Sequence, residues 1–165
     1  MFLLYFIIIP ILIISCESEE SKLTGLIDTA DTDQVSKSNS QDSNPENLFD
    51  QGRALQARAQ FFEAEEKYRQ ASTLEPKNAQ YHFRLGTVLH AQSRYGEAKT
   101  SILKSLSLKV DYAAPRIALA KLLYDVEGKV DTAQILLREA ISLAPQSDDA
   151  RYTLGLILLR EGSPE

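Results

Sequence analysis

Residues 79–112 read AQYHFRLGTVLHAQSRYGEAKTSILKSLSLKVDY, and two apolar stripes run through them. Leu85 and Leu89 flank Gly86, the pattern breaks at Ser93-Arg94, and a second stripe resumes through Ala98, Ile102 and Ser105. Spacings of three and four put such residues on one face of a helix. The stretch therefore predicts two helices joined by a tight turn, with Gly86 and Ala98 set where the backbones cross and must approach.

The same arrangement recurs on either side at a fixed offset. Gly52, Gly86, Ala120 and Gly155 lie 34, 34 and 35 residues apart. Ala64, Ala98 and Ala133 follow in register, then Tyr68, Ile102 and Leu137, then Ala71, Ser105 and Ala140. Breaks at Ala59-Gln60, Ser93-Arg94 and Gly128-Lys129 divide each unit into two helices. Gly52 is expected against Ala64, Gly86 against Ala98 and Ala120 against Ala133, with Leu85, Leu89, Leu119 and Leu123 filling the adjacent layers. Pro76 and Pro145 are placed to stop second helices, because proline has no amide hydrogen to continue them. A period of this length marks stacked repeats. The units run 45–78, 79–112 and 113–147, with a partial fourth from 148 to 165.

This pattern resembles the tetratricopeptide repeat family, whose motif has a small residue at position 8, Ala at 20, a large apolar or aromatic residue at 24, Ala at 27 and Pro at 32. The resemblance covers Pro45 to Gly162. Val110 stands where the second unit would have Pro, the third unit has an extra residue near Asp125 to Glu127, and position 4 holds Leu48, His82, Arg116 and Arg151 instead of Trp. The resemblance implies an all-α fold, a helix-turn-helix solenoid of three full repeats plus a terminal helix, wound into a right-handed superhelix. It also implies a protein-binding groove lined by the first helix of each pair at positions 2, 5, 9 and 12. Carried over, these are Glu46, Phe49, Arg53 and Gln56; Gln80, Phe83, Thr87 and His90; Ala114, Ile117, Lys121 and Tyr124. Phe49, Phe83, Ile117 and Tyr124 are expected to form a row suited to an extended peptide or a partner helix, with Arg53 and Lys121 able to meet a carboxylate. Packing of part of that row inside the stack is the alternative. Family members that hold chaperone C-termini begin their carboxylate clamp with Lys and Asn at positions 5 and 9; Phe49 and Arg53 stand there, so that partner is not expected.

The fourth unit supplies one helix, DDARYTLGLILLR over 148–160, and Gly162 follows where a turn would begin. Tyr152, Leu154, Leu156, Ile157, Leu158 and Leu159 surround this helix, and Gly155 has no alanine partner. Exposed apolar surface of this kind marks an interface, with Tyr152, Leu156 and Leu159 as its residues and another protein or a second copy as its occupant. A truncated fragment of a longer repeat protein explains the same pattern equally well.

Met1 to Ile14 is nearly all apolar and too short for the roughly 20 residues of a membrane-crossing helix. Its length suits a signal peptide over 1–15, although no Lys or Arg precedes the apolar run. Ile13-Ile14-Ser15-Cys16 resembles a bacterial lipobox, which implies lipidation of Cys16, the only cysteine, by diacylglycerol and palmitate-type chains. Residues 16–44 then read as a disordered acidic, polar linker, long enough to set the domain on the order of 30 Å from a membrane.

Charge excludes several functions. Seven acids against two lysines between Glu17 and Asn44 account for the whole net charge of −5, leaving Pro45 to Glu165 neutral with sixteen of each sign. A neutral domain has no field to concentrate phosphates, so no nucleic-acid partner is expected. With one cysteine and two histidines eight residues apart, no metal site is expected, and His82 and His90 read as packed or groove-lining. No phosphate loop or nucleophile motif occurs, so neither enzyme activity nor a cofactor is expected. Glu63, Glu65 and Glu66 are expected to face solvent at a helix start, as are Lys99, Lys104 and Lys109. Taken together, the sequence predicts a protein-binding module tethered to a bacterial envelope membrane, inner or outer, with the repeats outside the cytoplasm. It would act as scaffold or assembly factor; the alternative is an adaptor or regulatory subunit of an envelope enzyme.

Overall fold

The computed structural model describes residues 44–162. The signal peptide, Cys16 and the linker lie outside the described residues. Seven α-helices make up the described chain: α1 (Pro45–Ala57), α2 (Phe61–Leu74), α3 (Ala79–Ala91), α4 (Tyr95–Leu108), α5 (Ala113–Glu127), α6 (Val130–Leu143) and α7 (Asp148–Arg160). No strand occurs among the described residues, and none of the described helices is long and apolar enough to cross a membrane. Helices pair as α1/α2, α3/α4 and α5/α6, the pairs stack in order, and α7 packs on α6 and α5. This is the all-α repeat solenoid that the period predicts.

Three of the four first helices start on side-chain caps, α5 after Tyr112 being the exception. Asn44 accepts from the Glu46 amide, Asn78 from the Gln80 amide and Ser147 from the Ala150 amide, each satisfying a donor that has no partner inside its helix. Second helices have no such side-chain cap. Their starts are set by the preceding turn. Ala59 and Ser93 adopt left-handed conformations, with φ 58° and 61°, and Gly128 does the same at 63° in the third unit. In the first two turns the amide of the following residue bonds back five residues, Gln60 to Leu55 and Arg94 to Leu89, closing a Schellman motif. In the third, Lys129 bonds back six residues to Leu123, so the extra residue is absorbed as a wider turn after a longer α5. A left-handed alanine or serine is strained where glycine is not. Ser93→Gly should therefore raise the unfolding free energy by about 0.5 kcal/mol in a urea titration, despite glycine's greater freedom in the unfolded chain.

Pro76 and Pro145 follow the C-caps of α2 and α6, but α4 stops at the same point in front of Val110. There the Lys109 amide still closes the last turn on the Ser105 carbonyl, so a proline is not needed to end the helix. The small-residue notch also differs in detail from expectation. A Cβ on Gly52 would sit 2.6 Å from the Tyr68 ring, and one on Gly86 would sit 2.7 Å from Ile102 Cγ1 and 3.2 Å from the Ala98 carbonyl. The large residue at position 24 occupies the notch, one turn beyond the alanine paired with it by sequence. Ala64, Ala98 and Ala133 are nonetheless fully buried.

Candidate protein-binding groove

Position 5 of the first helices in units one to three was expected to face a partner or, in part, to pack inside the stack, and the structure buries all three residues while leaving two of them on a cavity wall. Phe49 is 7% exposed, Phe83 9% and Ile117 6%. Phe49 lies 5.5 Å from the Tyr68 ring and 5.0 Å from that of Tyr81, the latter supplied by the next unit. It is core. Phe83 meets Tyr112 edge-on at 5.5 Å, yet with Ile117 it still lines a cavity.

That cavity, of about 270 Å³, opens between α3, α5 and α7 and is lined by Phe83, Thr87, His90, Ile102, Ala114, Ile117, Ala118, Lys121 and Asp149. A second, of about 280 Å³, adjoins it and is lined by residues that include Tyr124, Tyr152, Leu156 and Arg160. Lys121 and Asp149 belong to both, joined by a 3.1 Å ion pair from α5 to α7. The apolar floor with a few polar groups at its rim is what a peptide-binding cleft requires. His90 stacks edge-on against Tyr95 at 5.3 Å, and its Nε2 is buried without a partner among the described atoms. His82 is elsewhere, its Nε2 2.8 Å from the Pro76 carbonyl oxygen.

The structure thus brings together Phe83, Thr87, His90, Ile117 and Lys121, and sets Tyr124, Tyr152 and Leu156 beside them. It leaves Phe49, Arg53 and Gln56 out. Arg53 is exposed with Asp50 as its neighbour at 3.3 Å. Gln56 is engaged inside the fold, accepting from the Tyr68 hydroxyl at 2.9 Å and donating to Thr87 Oγ1 at 3.3 Å. Leu159 stays 75% exposed, away from both cavities. Asp149 was missed, although the signal was present: positions 2, 5, 9 and 12 of the fourth unit are Asp149, Tyr152, Leu156 and Leu159. Groove and C-terminal interface are one register, and they are continuous in space as far as Leu156.

A second correction concerns Glu65. Glu63 and Glu66 are exposed, but Glu65 is buried where the first unit meets the second. Its carboxylate accepts from Arg69 and Gln92 at 2.8 Å and from Arg94 at 2.7 Å, and Arg94 and Arg69 also reach Glu97. Burial alone would raise its pKa, but the hydrogen bonds from Gln92, Arg69 and Arg94 hold it below the ordinary value of 4.5. The stability this confers is present above pH 4.5 and is lost as pH falls through the lowered folded value. Urea titrations between pH 6 and 3 should show the wild type losing stability on acidification more steeply than Glu65→Gln. Lys99 likewise departs from a merely solvated role, since it reaches Glu127 of the next unit at 2.6 Å.

A stack of helix pairs with a groove along its first helices defines a helical-repeat interaction module. Residues 49–104 match the family model of the tetratricopeptide repeat, and the same helix-pair architecture continues through α7. No curated protein sequence matches the chain. Among solved structures, the first TPR of Spaghetti (RPAP3) bound to an HSP90 peptide is similar at 15% identity and a TM-score of 0.67, over 73% of this chain and 94% of that one. MamA is similar at 22% identity and 0.66, covering 79% and 75%. The Yersinia enterocolitica type III secretion chaperone SycD, in complex with a peptide of the translocator YopD, is similar at 16% and 0.62, covering 70% and 93%. These likenesses show the fold. Tetratricopeptide domains are protein–protein interaction modules.

Proposed function

We propose that this chain is a non-catalytic module, tethered to a bacterial envelope membrane through lipidated Cys16, that binds a segment of a partner protein and serves as scaffold or assembly factor for an envelope complex. The observation that carries the binding part is the pair of adjoining cavities floored by Phe83, Ile117 and Tyr124 and bridged by Lys121 and Asp149. Two of the similar structures hold peptides, which supports the groove as the binding face. The apolar floor suits a partner's aliphatic or aromatic side chain, and Lys121 and His90 at its wall suit a carboxylate or a backbone carbonyl. A chaperone-tail clamp is not part of the reading, because Phe49 is buried and Arg53 is turned to Asp50. The tether rests on the sequence around Cys16 alone.

A photoreactive residue placed at Thr87 or Lys121 in the native host tests the groove. It should crosslink one specific protein, whereas the same residue at Arg58 or Phe62, both exposed, should not. Equal crosslinking from both pairs of positions would reject the groove. Phe49→Ala is unsuitable here because it removes core. Cys16→Ser should release the chain from the membrane fraction and abolish incorporation of a palmitate analogue; retention at the membrane would reject the anchor.

A further inference from the structure

Between Glu17 and Asn44 the chain carries four large apolar residues, Leu23, Leu26, Ile27 and Val35, and three of them fall within LTGLID over 23–28. A segment that only spaces a domain from a membrane gains nothing from such a cluster, because exposed aliphatic side chains are poorly hydrated and add no reach. Glu17, Glu19 and Glu20 precede it, and Asp28, Asp31 and Asp33 follow. The cavity between α3 and α5 offers the complement. Its floor is apolar at Phe83, Ile102 and Ile117, and Lys121 is its cation. Two buried side-chain nitrogens without a hydrogen-bond partner among the described atoms, Arg84 Nε and His90 Nε2, both belong to α3. His90 lines the cavity, and Arg84 lies 5.7 Å over the ring of Phe83, which lines it too. Buried polar atoms are ordinarily paired, so polypeptide backbone laid along α3 would complete this wall.

We propose that this cavity is occupied by residues 23–28 of the same chain, which stand in for a partner's segment and must leave before the partner enters. The inference rests on the reading that the groove takes a protein segment. Leu26 and Ile27 sit on the apolar floor, and Asp28 meets Lys121, drawing it from Asp149. The Lys121–Asp149 pair is exposed on both sides, and such a pair changes partners at little cost. Reach favours this occupant over a second copy. Seventeen residues lead from Ile27 to Asn44, the cap of α1, and a flexible chain of that length spans about 20–25 Å on average. The cavity lies two helix spacings from α1, about 20 Å at roughly 10 Å each. That match holds the segment at an effective concentration on the order of 1 mM, far above that of a second copy in dilute solution. Even a weak site is then filled by its own chain, and a partner's apparent affinity falls by roughly two- to tenfold.

The test uses the full chain in a nonionic detergent, with Cys16→Ser, a photoreactive residue at Thr87 and helical content checked by circular dichroism. In a mixture of isotope-labelled and unlabelled protein, illumination should join position 87 to residues 23–28 of its own chain, as read by mass spectrometry. The same residue at Phe62, which is exposed on α2, should not. Leu26→Asp/Ile27→Asp should cut the yield about tenfold or more. Asp28→Lys should cut it roughly two- to fivefold, and Asp28→Lys/Lys121→Glu should restore it. A fluorescent peptide of residues 20–33, added as the probe, should bind Leu26→Asp/Ile27→Asp roughly two- to tenfold more tightly than the chain with its own segment intact. Crosslinks that join labelled to unlabelled chains, fall elsewhere in 17–44 or survive Leu26→Asp/Ile27→Asp overturn the proposal. So does a charge swap that fails to rescue. If the purified chain gives no self-crosslink while position 87 still captures a partner in the native host, self-occupancy fails and the groove reading stands; no capture in either setting removes both.

Discussion

Tyr68→Ala is expected to lower the unfolding free energy by about 3–5 kcal/mol, the range for losing a large buried aromatic residue, and so to consume much of a small domain's stability. Tyr68 is fully buried and fills the notch at Gly52, where even a methyl group would come within 2.6 Å of its ring. It packs on Phe49, and its hydroxyl donates to Gln56, which in turn donates to Thr87 on the wall of the groove. The substitution opens a cavity between α1 and α2 and cuts a polar link from the first unit to the second. Tyr68→Phe keeps the ring and should lose only about 1 kcal/mol. Urea titrations followed by circular dichroism check both values; equal losses would mean that the ring does not support the stack. Burial also pushes the Tyr68 pKa from 10 up to about 12, despite opposing attraction from Arg84 and Arg53. The unfolded chain therefore ionises first, and stability should fall as pH rises from 10 through 12, less steeply in Tyr68→Phe.

Gly86→Val should cost about 3 kcal/mol, since its Cβ would lie 2.7 Å from a fully buried Ile102 and 3.2 Å from a helix carbonyl that cannot retreat. Gly155 holds the same register position but faces open space. Gly155→Ala should stabilise by about 0.5–1 kcal/mol, because alanine is the better helix former. The contrast between two glycines equivalent in sequence isolates the effect of the neighbouring helix. If both substitutions destabilised equally, the open slot on α7 would be ruled out.

The groove was partly legible. Positions 9 and 12 of the second and third units, Thr87, His90, Lys121 and Tyr124, all line it. Phe83 and Ile117 at position 5 line it too, but Phe49 was misplaced, because the 3.6-residue period shows which side chains share a stripe and not how far the next unit extends over it. Phe49 is covered by Tyr81, thirty-two residues away, whereas Tyr152 at the same position stays exposed. Glu65 was misread for the same reason: its partners Gln92 and Arg94 lie in the second unit, at the junction between α3 and α4. A local rule about acids at helix starts has no access to them.

The amino-acid sequence alone determined the period, the phase of the notches and the pairing of helices. All of these follow from apolar stripes broken at one interval and from small residues repeated at one spacing. Only the tertiary structure decided which members of a stripe are core and which are surface. It turned Glu65 into the tie between the first two units, joined α5 to α7 through Lys121 and Asp149, and left the Gly155 face open. Burial at each of these positions is set by a neighbouring unit a full repeat away, and a helical stripe carries no information about that distance.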